Sequence, residues 1–500
     1  MSERITIEEL QSYLWESAVL LRTNIDAGAY KQYIFPLLFF KRICDVYDEE
    51  TVVAIDEYGD DATEFDEDEI HTFIVPKGYH WNDVRAVSEN VGVAIVEAFR
   101  KIENSNVDKL QGIFGDNSAW TNKNRLPDRL LKDLLEHFST KTLSIANCPE
   151  DELGQGYEYL IKKFADDSGH TAQEFYTNRT VVHLMTEILK PKSGESIYDP
   201  TCGSAGMLIS AIAYLKDQGE EWRNVAVYGQ EINALTSAIG KMNLFLHGVK
   251  DFNIVNGDTL ASPAFLEHGR LQQFDLILAN PPYSIKEWNR AAFESDKYGR
   301  NFLGVPPQGR ADYAFLQHII ASLKEDTGRC AILFPHGVLF RNEESAMRER
   351  LVLSDRVECI IGLGPNLFYN SPMEACIMIC RMNKRPERRG QVLFINAINE
   401  VERKNAQSYL EDRHIQRIAT AYENYCNDIG FAKIATIQDI ADNNFSLNIP
   451  LYVKPEVNDD EIDTRTIQER YDSWMAYSEM MKLSYGKLNA IFLEVAENNE

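Results

Sequence analysis

Four consecutive residues, Asn280-Pro281-Pro282-Tyr283, combine groups that could bind a planar amino group. They follow an apolar run that predicts a buried parallel strand. Because proline has no backbone N–H, the two prolines must end that strand at the edge of a sheet. There the Asn280 amide and the Pro281 carbonyl would offer two hydrogen-bond acceptors, and Tyr283 would offer a face for stacking. The alternative interpretation is a strand-to-loop turn capped by the asparagine.

Three further sites lie upstream of this motif. A glycine turn, Asp199-Pro200-Thr201-Cys202-Gly203-Ser204-Ala205-Gly206, separates a predicted strand from a predicted helix, where backbone can approach a ligand closely. Glu231 ends the next predicted strand, where doubly wound folds place an acid that binds ribose hydroxyls. Asp258 could accept a hydrogen bond from an adenine amino group. The structural alternatives are a solvated strand end for Glu231 and a turn aspartate for Asp258.

The four sites follow one another at the ends of successive strands, as ligand sites do in open α/β sheets. In this order the chain resembles the S-adenosylmethionine-dependent amino-methyltransferases, specifically the N6-adenine DNA group. Ahead of the glycine turn, Gln173-Glu174-Phe175-Tyr176-Thr177-Asn178 resembles the segment that closes over the methionine end of the cofactor. Asn178 stands where this group usually has proline.

Other segments resemble the modification subunits of type I restriction–modification systems. These segments are 153–161, 309–315, 331–341, 366–368 and 448–453. The resemblance implies an α/β fold, with a Rossmann-like S-adenosylmethionine-dependent methyltransferase domain between a mostly helical N-terminal domain and a helical C-terminal tail. It also implies methyl transfer to N6 of adenine in duplex DNA, with S-adenosylmethionine as the cofactor.

The resemblance assigns roles to individual positions. The catalytic residues are Asn280, Pro281, Pro282 and Tyr283, and Tyr283 and Phe368 would stack on an adenine flipped out of the duplex. The residues expected to bind the cofactor are Gln173, Glu174, Phe175, Tyr176, Thr177, Asn178, Asp199, Gly203, Ser204, Ala205, Gly206, Glu231 and Asp258.

The 500 residues are expected to form three regions. Residues 1–150 are predicted as a helical N-terminal domain, residues 151–440 as the methyltransferase domain and residues 441–500 as a helical tail for partner docking. The tail contains a heptad seam with one polar interruption, formed by Ile467, Tyr471, Trp474, Ser478, Met481, Tyr485, Leu488, Phe492 and Val495. We expect it to dock on helices of a specificity subunit; the alternative is an amphipathic helix that packs on its own domain.

A net charge of −26 disfavours autonomous DNA binding, which depends on basic side chains that release counterions. Residues 48–69 alone carry twelve acidic residues and no Lys or Arg. Sequence-specific contact is therefore expected from the specificity subunit, and the resemblance adds a second copy of this chain and a restriction/translocase subunit as partners. Two basic groups could contact phosphate or lie in solvated loops: Lys286, Arg290, Lys297 and Arg300, and the predicted hairpin turn with Arg381, Lys384, Arg385, Arg388 and Arg389.

Cysteine usage and hydropathy indicate the compartment. The eight cysteines include no Cys-x-x-Cys pair, no run of 18 apolar residues occurs, and the N-terminus lacks the pattern of a signal peptide. These features predict a reduced cytoplasmic protein without a transmembrane helix or a metal site. The sequence also has no Walker motif, so ATP-driven translocation is expected to belong to another chain.

Two other functions remain compatible with the Asn-Pro-Pro-aromatic motif. A protein-glutamine or RNA amino-methyltransferase would act on a planar amine through the same groups. A catalytically silent scaffold would bind the cofactor and assemble a DNA complex without methyl transfer. The long helical front and the terminal heptad seam favour the DNA-modifying subunit over the first alternative, and the intact motif at Asn280 disfavours the second.

Overall fold

The structure is a computed structural model, and it describes two parts of the chain. The first part consists of residues 4–59, 67–115, 117–167, 177–367, 374–404 and 407–454. The second consists of residues 469, 471–472, 474–482 and 484 near the C-terminus. The chain divides into two compact units, residues 1–454 and residues 455–500.

The N-terminal part of the first unit is helical. Its α-helices are α1 (Ile7–Leu21), α2 (Lys31–Tyr58), α3 (Glu67–Ile70), α4 (Trp81–Ala86), α5 (Val91–Ser105), α6 (Val107–Leu110), α7 (Asp128–Phe138) and α8 (Glu150–Asp167). Thr6 begins α1 with a capping box, in which its side chain accepts from the Glu9 N–H and the Glu9 side chain accepts from the Thr6 N–H. The expected helical character of the N-terminal region is confirmed.

Strands and helices alternate from residue 179 onward. The strands are β1 (Ser196–Asp199), β2 (Ala226–Glu231), β3 (Phe252–Asn256), β4 (Leu266–Glu267), β5 (Arg270–Leu271), β6 (Leu276–Ala279), β7 (Arg329–Pro335), β8 (Val357–Leu363), β9 (Ala375–Arg381), β10 (Gln391–Ala397), β11 (Glu402–Lys404), β12 (Gln407–Tyr409) and β13 (Ala432–Thr436). The helices are α9 (Arg179–Leu189), α10 (Gly206–Asp217), α11 (Ala234–Leu246), α12 (Arg290–Glu294), α13 (Asp312–Ala321), α14 (Ser345–Leu353), α15 (Asp412–Asn424) and α16 (Ile437–Asp442).

Nine of these strands form one mixed sheet in the order β13-β10-β8-β9-β7-β6-β1-β2-β3. The neighbours β3, β2, β1, β6 and β7 are all parallel, and β9 is antiparallel to both β7 and β8. All residues of β6, β7 and β8 are buried, which explains why these strands are continuous apolar runs. The predicted Rossmann-like fold is confirmed.

Helices cover both faces of the sheet. On one face the buried residues of α9, α10 and α15 pack against the strands, and on the other face those of α13 and α14 do so. Leu447, Ile449 and Val453 are also buried in the second of these cores, so the chain remains packed on the sheet well beyond residue 440.

The N-terminal helices join the sheet through α11. Buried residues of this helix, including Ile239 and Met242, belong to the same hydrophobic core as α1, α2 and α5. The Tyr157 hydroxyl on α8 donates to the Ile239 carbonyl at 3.2 Å. A methyl group on Gly156 would lie 2.8 Å from Leu10, so α8 and α1 are in close contact. The helical layer therefore supports the helix that follows the Glu231 strand.

The expected hairpin between β9 and β10 is wrong, because β8 lies between these two strands in the sheet. In their connection, Lys384 is buried and pairs with Asp355 at 2.6 Å, and Arg388 is buried and pairs with Glu358 at 3.4 Å. Both cations are thus used inside the fold and are not presented to phosphate. Arg300, from the other basic group, is likewise buried.

Residues 474–482 of the second unit are helical, and their apolar side chains are exposed. Of the predicted seam, the structure describes Tyr471, Trp474, Ser478 and Met481. Ile467, Tyr485, Leu488, Phe492 and Val495 lie outside the described residues. Within the described part of the chain, no helix is both long enough and apolar enough to cross a membrane.

Candidate active site

The predicted site residues gather at the carboxyl ends of β6, β1, β2 and β3. These four strands are neighbours and parallel, so Asn280, Asp199, Glu231 and Asp258 all follow or end strands at one edge of the sheet. Asp199 is in register with Gly229, and Glu231 with Asn256. The four motifs therefore lie in a row at one edge of the sheet, with Asn280 beside Asp199, where ligand sites of open α/β sheets are found.

Asn280 presents an unpaired acceptor to this cleft. Its Nδ2 donates to Thr177 Oγ1 at 3.0 Å. Its Oδ1 is buried and accepts no hydrogen bond from any described residue. The Pro281 carbonyl likewise accepts none from the described residues. Since buried acceptors are normally satisfied, the orphaned amide oxygen marks a place for a hydrogen-bond donor that the described residues do not supply.

The two prolines end β6 at Ala279, as predicted. Pro281 is buried and Pro282 is exposed, while the ring of Tyr283 is partly exposed. Burial of the Tyr283 hydroxyl raises its pKa well above the usual range for tyrosine. The side chain is therefore a neutral phenol at physiological pH, which suits stacking and excludes it as a base.

The glycine turn connects β1 to α10 through backbone in the left-handed region. Gly203 has φ 53° and Ala205 has φ 63°. Helix α11 presses on this turn, since a methyl group on Gly240 would lie 2.8 Å from the Gly203 carbonyl oxygen. Ser204 is buried, and its carbonyl accepts from Asn243 Nδ2 at 2.8 Å. The turn is thus held by α11 from behind.

Asp199 is a buried acid at the start of this turn. Its Oδ1 accepts from the Thr201 N–H at 2.9 Å. Burial, reinforced by the negative charge of Glu231, raises the pKa of Asp199 to about 8. A cation bound beside it would favour the charged form and offset part of the cost of burial.

Glu231 reaches back from β2 to the glycine turn. Its Oε2 accepts from the Gly203 N–H at 3.0 Å, and its Oε1 accepts from the Asn233 N–H at 2.8 Å. The carboxylate is therefore oriented by two backbone donors. Ile232, the next residue, is 67% exposed in the same row of strand ends and offers an apolar side chain there.

Asp258 adopts the turn that was its structural alternative. Its Oδ1 accepts from the N–H groups of Leu260 at 2.8 Å and Ala261 at 3.0 Å. The following Thr259 donates to the Pro200 carbonyl at 2.6 Å, which ties this turn to the glycine turn. The aspartate is thus placed near the glycine turn, with one of its oxygens already used by the backbone.

Asn178 connects three segments. Its Oδ1 accepts from the Thr180 N–H at 3.0 Å and so caps α9, while its Nδ2 donates to the carbonyls of Leu367 at 3.1 Å and Ser408 at 3.0 Å. With both amide hydrogens used, only the backbone of Asn178 has donor capacity left for a ligand. Gln173, Glu174, Phe175, Tyr176 and Phe368 lie outside the described residues.

Several residues of the cleft were not found from the sequence. Arg179 lies against the start of α10, where a methyl group on Gly206 would be 1.6 Å from its Nη1. Ile232 and the pair Asp312 and Arg341 are also near the predicted residues. The position of Ile232 beside a strand-end acid was a usable signal, whereas the contacts of the other three depend on the tertiary fold.

Comparisons with known proteins agree with this arrangement. The family model described as N-6 DNA methylase matches residues 149–461, which is more than half of the chain. The model described as HsdM N-terminal domain matches residues 10–138.

Curated relatives and solved structures match over most of the chain. The type I restriction enzyme MjaVIII methylase subunit of Methanocaldococcus jannaschii is 31% identical, over 93% of this chain and 82% of the relative. The HindI methylase subunit of Haemophilus influenzae is 32% identical, over 74% of this chain and 85% of the relative. The crystal structure of a type I restriction-modification system methyltransferase subunit from Streptococcus thermophilus is 31% identical with a TM-score of 0.77, and covers 90% of this chain and 100% of that one.

Proposed function

This chain belongs to the N-6 DNA methylase family as a type I restriction enzyme methylase subunit, and we propose that it transfers a methyl group from S-adenosylmethionine to N6 of an adenine flipped out of duplex DNA. The enzyme is an adenine-specific DNA methyltransferase that works within a complex. The orphaned, buried Oδ1 of Asn280 is the observation that carries the proposed mechanism.

The residues around the glycine turn fit S-adenosylmethionine. Asp199 would face the positively charged methionine portion, because its buried carboxyl gains most from a nearby cation. Glu231 would accept hydrogen bonds from the ribose hydroxyls, and the exposed side chain of Ile232 offers an apolar surface for the adenine ring. Asp258 would accept from the adenine amino group. When bound, the cofactor supplies a methyl group activated by a sulfonium.

Further cofactor contacts are proposed for the remaining residues of the two segments. The backbone at Gly203, Ser204, Ala205 and Gly206 would lie against the methionine portion. The segment Gln173-Glu174-Phe175-Tyr176-Thr177-Asn178 would close over it. The hydrogen bond from Asn280 to Thr177 supports this placement, since it joins that segment to the catalytic amide.

Asn280 and Pro281 would activate the target nitrogen by accepting its two hydrogens. The lone pair of an adenine amino group is delocalised into the ring, so the nitrogen is a poor nucleophile. Hydrogen bonds to Asn280 Oδ1 and the Pro281 carbonyl favour a tetrahedral nitrogen and free the lone pair for attack. Thr177 holds Nδ2 at 3.0 Å, so the amide presents its oxygen in advance of binding. After transfer the surplus proton leaves to water.

Tyr283 would stack on the flipped adenine, with Phe368 on the other side. An amino group cannot be reached inside a duplex, so the base must leave the stack. The neutral, partly exposed ring of Tyr283 suits this contact because an accessible aromatic face can stack on a base.

The C-terminal tail is proposed to dock on a specificity subunit that selects the DNA sequence. Exposed apolar residues of the described tail cover roughly half of the helix circumference at 100° per residue. They are Tyr471, Trp474, Met475, Tyr477, Met480 and Met481. A single partner helix would leave part of this surface in water, so two partner helices are expected. A second copy of this chain and a restriction/translocase subunit complete the proposed complex.

The proposed domain organisation follows from these roles. Residues 1–150 form the helical domain. The methyltransferase domain extends past the predicted boundary at residue 440 to residue 454, because Leu447, Ile449 and Val453 pack in its core, and residues 455–500 form the docking tail. The helical domain would close over DNA or contact the restriction subunit, as the family resemblance implies.

Variants of Asn280 test the proposed reaction in the chain co-expressed with its specificity subunit. Tritiated methyl incorporation into unmethylated duplex DNA is measured, and the product base is identified. Asn280→Ala is expected to lower kcat about 10²–10³-fold with unchanged cofactor affinity, because it removes an acceptor that acts in the transition state. Asn280→Asp keeps acceptor oxygens and is expected to retain more activity than Asn280→Ala.

The same assay separates the alternatives. Methylation of release factor or ribosomal RNA in place of DNA would support a protein-glutamine or RNA methyltransferase. Unchanged methyl transfer by Asn280→Ala would refute the proposed role of the amide. Cofactor binding without any transfer would indicate a silent scaffold.

A further inference from the structure

The loop after the Asn280 motif is tied to the body of the domain at Ser284. This residue has φ 51°, a left-handed conformation that is unfavourable for a residue other than glycine. Its N–H donates to Asp312 Oδ1 at 2.8 Å, and its hydroxyl donates to Asp312 Oδ2 at 3.4 Å. Such a conformation persists only where surrounding contacts impose it, so Asp312 has a strong hold on the residue next to Tyr283.

Asp312 is in turn held by Arg341. Asp312 is 1% exposed at the start of α13, and its Oδ2 lies 2.6 Å from Arg341 Nη1. Arg341 Nη2 also donates to the Ser284 hydroxyl at 3.4 Å. A second carboxylate, the fully buried Glu344, lies 3.7 Å from Arg341 Nη1. The ion pair is therefore largely buried, with 16% of the Arg341 side chain exposed, and its partners come from separate segments of the chain.

The segment that carries Arg341 is itself closely packed. A methyl group on Gly337 would lie 2.5 Å from Arg341 Nε, and the Arg341 carbonyl accepts from Arg348 Nη1 at 2.9 Å. Arg341 follows β7, which is the neighbour of the Asn280 strand in the sheet. The Arg341 guanidinium thus connects the segment between β7 and α14 to the loop that carries Tyr283.

We propose that Asp312 and Arg341 form a clamp that positions Tyr283 against Asn280, so that binding of the target adenine depends on two residues that do not touch it. This inference rests on the proposed function and deepens it. The clamp fixes the backbone on the C-terminal side of Tyr283, while β6 fixes the backbone on the N-terminal side of Asn280. Stacking and hydrogen bonding to one base require both ends to be held, because a misplacement of about 1 Å can cost about 10²-fold in rate.

A graded series of variants tests the clamp in the complex with the specificity subunit. Asp312→Ala removes the acceptor for the Ser284 N–H, whereas Asp312→Asn keeps an acceptor and removes the charge. Arg341→Lys keeps a cation but loses the second contact, and it serves also where an Asp312 variant fails to fold. We expect kcat/KM for DNA to fall about 10²-fold in Asp312→Ala and less in Asp312→Asn and Arg341→Lys, with cofactor affinity within about threefold of the wild type.

The matched control is an ion pair at the opposite end of β7. Glu195 holds Arg329 through two contacts of 2.8 and 2.9 Å. Glu195→Gln is expected to lower the thermal midpoint while the KM for DNA stays unchanged. A folded clamp variant with wild-type kcat/KM would overturn the inference. So would a parallel loss of cofactor affinity and activity in all three variants, because that result defines a folding element.

Hydrogen exchange separates the clamp from the proposed reaction. In the wild type the Ser284 N–H is bonded to Asp312, so the peptide that contains it should exchange faster in Asp312→Ala. Unchanged exchange refutes the clamp whatever the activity is. If exchange changes as expected but the wild-type complex methylates no adenine, the proposed function fails, and only the hold of Asp312 on the Ser284 backbone stands.

Discussion

One end of the Asn280 amide has a hydrogen-bond partner among the described residues and the other does not, and this difference determines which atom can bind a ligand. Nδ2 is bonded to Thr177, and Oδ1 has no partner among the described residues. An asparagine that only capped a turn would use its oxygen on nearby backbone N–H groups, as Asn178 does for α9. The turn-cap alternative for the motif therefore does not describe this side chain.

Asp199 gives a prediction about stability and pH. Its folded pKa is raised to about 8 by burial, from an unfolded value of about 3.9. The folded state therefore binds a proton that the unfolded state has lost, and stability falls as pH rises from about 4 to about 8. Asp199→Asn removes this cost, so it should raise the unfolding free energy of the ligand-free protein by on the order of 1–3 kcal/mol at pH 8, and by less at pH 5. Thermal melts at both pH values measure the difference.

Asp275 is the control, because its pKa is shifted in the direction opposite to that of Asp199. Burial opposes ionisation there too, but hydrogen bonds from Lys324, Thr327 and Ser196 lower its pKa below the usual range. Asp275→Asn should therefore destabilise the protein at neutral pH. Parallel melting curves for Asp199→Asn and the wild type between pH 5 and pH 8 would contradict the assignment. A loss of cofactor affinity in Asp199→Asn would show that the carboxylate that destabilises the ligand-free protein also contributes to cofactor binding.

Polar residues of the candidate site could be predicted from the sequence where they directly follow or end a predicted strand. Asn280, Asp199 and Glu231 were correctly placed at one edge of the sheet because the ends of parallel strands converge there. Arg179 and Asp312 could not be found in this way. Arg179 contacts Gly206, and Asp312 contacts Ser284 across 28 residues, and no periodicity in the chain encodes either contact.

At the scale of elements, the hydrophobic pattern of the sequence predicted whether a segment is a strand or a helix better than it predicted which strands are adjacent in the sheet. The apolar runs of β6 and β7 identified buried strands because neither face of a central strand meets water. The hairpin expected between β9 and β10 failed because β8, earlier in the chain, inserts between them. Strand order is decided by packing and by helix connections on the two faces, which local sequence does not record.

Helix α11 provides a prediction about how an element supports the site. A methyl group on Gly240 would lie 2.8 Å from the Gly203 carbonyl oxygen and 3.5 Å from the Ala205 nitrogen. Both contacts are backbone, so Gly240→Ala must displace the helix or the glycine turn. We expect a loss of about 1–3 kcal/mol in unfolding free energy and weaker cofactor binding, measured by denaturation and by calorimetry with S-adenosylmethionine.

The direction of the Gly240→Ala effect is informative because helix propensity acts the other way. Alanine in a helix interior is favoured over glycine by about 1 kcal/mol. A variant that is more stable and binds the cofactor normally would show that α11 does not press on the turn. Gly309→Ala is the control, since a methyl group there meets no atom within 4 Å.

At the scale of the whole molecule, the charge of the chain and the packing of its cations indicate which functions are expected from this chain and which from its partners. The net charge is −26, and Lys384, Arg388 and Arg300 are spent on buried ion pairs. Three of the nine cations in the two predicted basic groups are therefore unavailable to phosphate, and acidic residues outnumber basic ones over the chain, so we propose that the grip on DNA comes largely from another subunit. The described residues of the tail carry a cluster of exposed apolar side chains that we propose such a partner covers.

Removal of residues 455–500 tests this division. Residues 1–454 form a compact unit with their own cores, so the truncated chain should keep its thermal midpoint and its affinity for S-adenosylmethionine. It should no longer co-purify with the specificity subunit and should lose methylation of duplex DNA. Trp474→Glu, at a residue 63% exposed, should weaken the association in the full-length chain, because a charge would be buried in the interface. Ile429→Glu is the control, since Ile429 is 81% exposed outside the tail and should have no effect. If the truncated chain still co-purifies and methylates DNA, the docking surface lies within residues 1–454, and the tail helix has another role.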